Sequence, residues 1–108
     1  MKHLGLILLA LVGLSAGQSR QTFTGIIPDE MCAKADHSRM QMGPTDAECV
    51  RACVDVHGSL FVLYDGKNSY TLSDQKTPDT FAAQKVTVVG TLDPRAGKIL
   101  VDSITAAK

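Results

Sequence analysis

Four side chains of this sequence are ligand types that a single soft metal ion could gather: Cys32, His37, Cys49 and Cys53, with Met40 and Met42 close to the histidine. The pattern runs C-x4-H-x2-M-x-M, then eleven residues separate His37 from a C-x3-C pair. On a helix, Cys49 and Cys53 stand one turn apart on one face, so both sulfurs can address the same object. Cys49 falls in the first turn, where the helix dipole favours a thiolate. Three thiolates and an imidazole form a complete tetrahedral set for zinc. Thiolate, imidazole and thioether together are the soft mixture that selects copper. Copper and zinc are therefore both candidate metals, with Cys32, His37, Cys49 and Cys53 as their ligands.

The competing chemistry is a disulfide. Cys32 joined to Cys49 or to Cys53 would staple a long loop to a helix and leave one thiol on the helix's apolar stripe. A Cys49–Cys53 bridge is geometrically poor while both residues remain helical. A third reading, thiol redox chemistry at Cys49, requires that thiol to be accessible and acidic.

Which chemistry applies depends on the compartment, and the N-terminus bears on that. Lys2 and His3 give a basic start, Leu4 to Leu14 is an unbroken apolar run, and Ser15, Ala16 and Gly17 are small. This is the layout of a signal peptide over residues 1–17, with cleavage somewhere within 15–20. Eleven apolar residues are about half of the ~20 that a spanning helix needs. With no cysteine at 15–20, a lipoprotein anchor has no acceptor. The expected product is one exported domain, 18–108, periplasmic or extracellular, monomeric and with no stable membrane insertion after cleavage. In an oxidising compartment cysteines usually pair, so an odd third thiol calls for an explanation.

Charge excludes some partners. The whole chain holds 11 basic and 11 acidic residues, and losing Lys2 with the signal leaves 10 against 11. Such a balance offers no footprint for nucleic acid or anionic membrane.

The elements that must position the cluster can be read from periodicity. Thr22 to Ile27 alternates as a first strand, with Gly25 a bulge or bend and Pro28-Asp29 ending it. Residues 29 to 44 lack any period and form a long loop. Thr45 is placed to cap a helix, with Glu48 completing a capping box. Cys49, Ala52, Cys53 and Val56 give its core-facing stripe, and Gly58 stops it. Leu60 to Tyr64 and Ser69 to Leu72 read as a hairpin around Asp65-Gly66-Lys67-Asn68. Pro78 to Gln84 predicts one or two helical turns with Phe81 inward. Val86 to Leu92 and Ile99 to Ile104 form a second hairpin. The resulting fold class is mainly β: an OB-fold-like five-stranded barrel with a helix-bearing insertion between strands 1 and 2. Gly90 would sit where a strand coils to close it. An open antiparallel sheet carrying one helix is the alternative architecture.

Other residues read more plainly. The methionines Met31, Met40 and Met42 can simply fill gaps, and His57 reads as a polar surface residue. Asp29, Glu30 and Asp36 could cluster, but loop acids are normally solvated. Ser38, Ser59, Ser69 and Ser73 lack a G-x-S-x-G elbow, and neither a phosphate-cradling glycine loop nor H-E-x-x-H is present. Phe23, Phe61, Tyr64 and Tyr70 could stack bases in an OB groove, yet without a basic field they read as core. The sequence thus points to a non-enzymatic binding domain. It either holds copper or zinc, or is a disulfide-stapled OB module that binds a protein, peptide or glycan of the cell envelope.

Several resemblances carry the same residues. Cys49-x3-Cys53 with His37-x2-Met40, extended by His57, resembles the ligand motifs of the binuclear copper centre of cytochrome oxidase, in reversed chain order. The Cys-x3-Cys pair with a distant His is also similar to the ligand logic of Sco-type copper chaperones. From Phe23 to Ile104 the chain resembles small exported bacterial proteins of unassigned function. That likeness rests on Thr24-Gly25-Ile26-Ile27 with Asp29 and Cys32, on His37, and on Glu48 to Val54. Phe61 to Tyr64 and Lys85 to Leu92 complete it. More loosely, the chain resembles periplasmic bacterial OB-fold proteins linked to envelope stress. The last two likenesses imply export and an OB-like fold, and they bring no established activity.

Overall fold

Valines alternate with threonine and glycine along Lys85–Asp93, and β-branched side chains of that kind suit a pleated, half-buried surface. The computed structural model accordingly forms strand β4 over Lys85–Asp93, with Val86 and Val88 fully buried. It describes residues 19–32 and 44–108. The signal segment expected over 1–17, and His37, Met40 and Met42, lie outside the described residues.

Strand β4 pairs antiparallel on one side with β1 (Gln21–Ile26) and on the other with β5 (Lys98–Ala106). Strand β1 also touches β2 (Val62–Tyr64) through Ile26 and Tyr64, and β2 forms a hairpin with β3 (Ser69–Leu72). Strand β3 then runs parallel to β5. The order β1-β2-β3-β5-β4 returns to β1, so the sheet is a closed five-stranded barrel. The protein is mainly β, a barrel with short helices, and the order is the OB-like one; the open sheet is ruled out by closure. Helix α1 (Asp46–His57) lies in the connection from β1 to β2, and a 3-10 turn over Thr77–Phe81 lies between β3 and β4.

Two glycines make room for closure. The β4–β5 register shifts between Val89 and Gly90, the position expected to coil. A Cβ at Gly90 would run into the Leu100 carbonyl oxygen and would lie 2.9 Å from Ile99 Cγ2. Gly25 was expected to be a bulge or bend; it is not a bulge, since its pairing with β4 is regular, Gly25 opposite Val86. It is small for another reason: a Cβ there would strike the Tyr64 carbonyl of β2.

The turns are set by aspartates. Asp65 Oδ1 accepts from the amides of Lys67 (2.9 Å) and Asn68 (2.7 Å), and Asp93 Oδ1 accepts from Arg95 and Ala96. Asp74 Oδ1 likewise accepts from Lys76 and Thr77, opening the 3-10 turn that buries Pro78. Such side-chain mimicry of a backbone turn is why Asp favours these positions.

The core comprises Ile27, Val50, Phe61, Leu63, Leu72, Ala82, Val86, Val88, Ile99 and Ile104, with Phe81 packed partly against it. Val50 brings α1 onto this core. The helix starts as expected: Thr45 Oγ1 accepts from the Glu48 amide at 3.2 Å, and Gly58 ends it in the left-handed conformation at φ 66°. Its buried face differs from the expected stripe. Cys49, Val50 and Cys53 are buried, Ala52 is half-buried, and Val56 is 68% exposed. At about 100° per residue, the face that Val50, Cys53 and Val54 turn to the barrel is centred well to one side of Val56. Arg51 fastens the helix from its flank, its Nε and guanidinium donating to the Asp79 carbonyl at 3.2 and 3.0 Å.

Candidate metal centre

Ile27, just past β1, is fully buried, and extended backbone with a period of two puts Asp29 on the same face. The strand ends before Pro28-Asp29, as expected, yet the chain stays against the barrel. Asp29 forms an isolated antiparallel bridge with Phe61, reinforced by Val62 N donating to the Pro28 carbonyl and Glu30 N to the Leu60 carbonyl. A 3-10 turn over Glu30–Cys32 follows, closed by Cys32 N donating to the Asp29 carbonyl at 3.1 Å. That turn carries Cys32 inward, to 7% exposure.

Helix α1 supplies the other two sulfurs. Cys49 and Cys53, one turn apart, are both fully buried. Ser59, just past the helix, links the two sides. Its amide donates to the Cys53 carbonyl at 3.3 Å, and its hydroxyl donates to Asp29 Oδ2 at 2.8 Å. The Met31 amide donates to the same carboxylate oxygen at 3.1 Å. Asp29 was expected to be a solvated loop acid; it is instead completely buried. Among the described residues its other oxygen, Oδ1, has no hydrogen-bond partner.

Cys53 feels the charges of Asp29, Cys49 and Cys32. Burial pushes the Cys53 thiol from its ordinary 9.0 up to about 11. The negative field of Asp29 adds to this, followed by Cys49 and Cys32, and a hydrogen bond with Cys49 contributes last. In the metal-free protein Cys53 is thus a thiol at neutral pH. Three of the four residues expected as ligands, Cys32, Cys49 and Cys53, are brought together; His37 lies outside the described residues. No disulfide bond is formed among the three cysteines. Among the described residues, no group of three or more His, Cys, Asp or Glu is arranged so that it could hold a metal ion. His57 is exposed on the last turn of α1.

Sequence reasoning missed Asp29 and Ser59. The signal for Asp29 was there: Gly25, Ile27 and Asp29 share one face, and the first two are buried. Ser59 carried no such signal, because its role depends on a contact thirty residues away.

A concavity of about 420 Å³ lies on the barrel wall between β1 and the β2–β3 turn, lined by Thr24, Ile26, Tyr64, Asp65 and Lys85. It is separate from the cysteines. Among the described residues no helix is long and apolar enough to cross a membrane. Compared with known protein families, with curated proteins and with solved structures, the chain matches none.

Proposed function

We propose that this chain is an exported, non-enzymatic binding domain that holds one zinc or copper ion through Cys32, Cys49 and Cys53, with His37 as the further donor. The observation that supports it is the gathering of three buried cysteines and a buried carboxylate into one cluster between a 3-10 turn and a helix. Buried charged and polar groups are normally paired or bound to a metal. Thiolate donors are the ones that zinc and copper prefer. In the metal-free state the Cys49 and Cys53 thiols hydrogen-bond to each other. Metal binding displaces their protons, and sulfur–metal bonds take the place of that contact. Export rests on the apolar run Leu4 to Leu14 behind Lys2. The domain works as a monomer, and its partner belongs to the cell envelope.

The test is metal content. Protein purified under anaerobic, reducing conditions should carry close to one equivalent of zinc or copper, or take it up from Zn(II) or Cu(I) alone. It should also show three titratable thiols after the metal is removed. No stoichiometric metal, combined with one titratable thiol after non-reducing denaturation, would replace this reading with the disulfide-stapled OB module.

A further inference from the structure

Strand β1 is paired along its whole length on one side and at one end only on the other. Toward β4 every residue from Gln21 to Ile26 has a partner, whereas toward β2 the pairing is the single rung Ile26–Tyr64. The bonds just past the strand show which way its backbone groups point. Ile27 N donates to the Gln84 carbonyl, and the Ile27 carbonyl accepts from Ala83 N, so Ile27 faces the β4 side. The Pro28 carbonyl accepts from Val62 N, so position 28 faces β2. Successive residues of a strand alternate in this respect. Phe23 and Gly25 therefore bond to β4, and the amides and carbonyls of Thr22 and Thr24 point toward the β2 side. There the chain of β2 has already turned away: Asp65 N donates to the Asn68 carbonyl, and β3 begins at Ser69. Among the described residues, no strand lies beside Thr22 and Thr24 on this side, and both residues are exposed.

An open edge of this kind is a template for another chain, and proteins usually blunt it with charge, proline or a bulge. The segment Gln21-Thr22-Phe23-Thr24 has no charge and no proline, and its pairing with β4 is regular. The concavity of about 420 Å³ opens at the same place, with Thr24 and Ile26 on one side and Tyr64, Asp65 and Gly66 on the other. We propose that an extended peptide of an envelope partner adds as a strand to β1 at Thr22 and Thr24. It continues the line of β2 beyond the Ile26–Tyr64 rung and seats one apolar side chain between Ile26 and Tyr64. Strand addition takes its affinity from main-chain bonds and its specificity from pockets for alternate side chains, and this edge offers both. The β2–β3 turn walls the edge on its far side, which suits a single chain and obstructs a second barrel. Asp65 and Lys85, both exposed, put one charge of each sign beside the concavity, so the peptide needs no net charge. Peptide binding here does not depend on metal at the cysteines.

Amide hydrogen exchange on the peptide-free protein comes first. Thr22 and Thr24 should exchange about 10-fold or more faster than Phe23 and Gly25. Equal protection means that a second copy or the chain itself covers the edge, and overturns the proposal. Displayed random heptapeptides are then selected on the protein, and the recovered sequences are synthesised. A peptide that binds more tightly than about 1 mM and slows exchange at Thr22 and Thr24 supports the proposal. No such binder, or one whose protection falls elsewhere, overturns it. Thr24→Pro removes the outward N–H, a change that an edge strand tolerates, and should weaken the peptide by about 5-fold or more. Unchanged affinity overturns strand addition. If that variant does not fold, N-methylation along the peptide decides. Weakening at alternate positions supports the proposal, and any other pattern overturns it.

Discussion

Ser59 Oγ donates to Asp29 Oδ2 at 2.8 Å across a sequence separation of thirty residues, and both side chains are buried. This one bond ties the end of the first strand to the exit of helix α1, and so holds the two cysteine-bearing segments side by side. Ser59→Ala removes a hydrogen bond to a buried carboxylate, which should lower unfolding stability by about 1–3 kcal/mol. Urea denaturation measures it. A change smaller than about 0.5 kcal/mol would mean that the bond is replaced by water at no cost.

Gln75 should be as important to the barrel as a core residue. Its Oε1 accepts from the Phe61 amide at 2.8 Å, while Nε2 donates to the carbonyls of Phe61 and Leu72, both at 2.9 Å. The side chain serves as a missing strand partner at the start of β2. Gln75→Ala should cost about 1–3 kcal/mol by stranding these backbone groups. Gln75→Glu should also destabilise, since it retains the acceptor but loses both donors.

Closure of the barrel depends on Gly90. Gly90→Ala would press a methyl group against the Leu100 backbone, which cannot move as a side chain can. Overpacking of this sort costs about 1–3 kcal/mol, and thermal melting should show the loss. Gly66→Ala is the contrasting case. Nothing lies within 4 Å of its Cβ, so only the backbone conformation at φ +98° is opposed. Its cost, about 1–3 kcal/mol, should be purely conformational.

Stability should fall at both ends of the pH scale. The folded state raises the Cys53 thiol above its ordinary value, so the stability tied to the protonated thiol is complete below 9.0. It is lost as pH rises toward about 11. Cys53→Ala in the metal-free protein should flatten that alkaline limb. On the acid side the signs reverse. Asp65 lies below its ordinary 3.8 chiefly because the Asn68 amide donates to it, and Asp74 chiefly because of the Thr77 hydroxyl. Their contribution is complete above 3.8 and disappears as pH falls below it. Chemical denaturation from pH 7 down to 2, with Asp65→Asn and Asp74→Asn beside the unaltered protein, should show a shallower acid limb in the variants.

The strands and turns were legible because their causes are local. The alternation of Val86 and Val88, the Asp-led turns at 65 and 93, and the Thr45 cap each act within a few residues. Even the barrel order followed from the spacing of those elements. The helix face was misread at Val56, since the direction of the barrel depends on where the flanking segments dock α1. Asp29 was misread for a related reason. Acids in loops are normally wet, but Asp29, past the end of β1, is held against the barrel by an isolated bridge to Phe61, which no local pattern reveals. Of the candidate ligands, the C-x3-C pair was the clearest, because helix periodicity alone places both sulfurs on one side. The approach of Cys32 to that pair depends on a bridge between segments about thirty residues apart, which no local pattern encodes.

The bond from Glu30 N to the Leu60 carbonyl, at 2.8 Å, has a consequence for how the chain can vary. The connection between β1 and β2 leaves the barrel and rejoins it at adjacent points, so the barrel's own backbone pins the two flanks of the helix-bearing insertion together. The outward face of that insertion, with Val56 and His57 exposed, is therefore free to change its chemistry without touching the strand pairings that close the barrel.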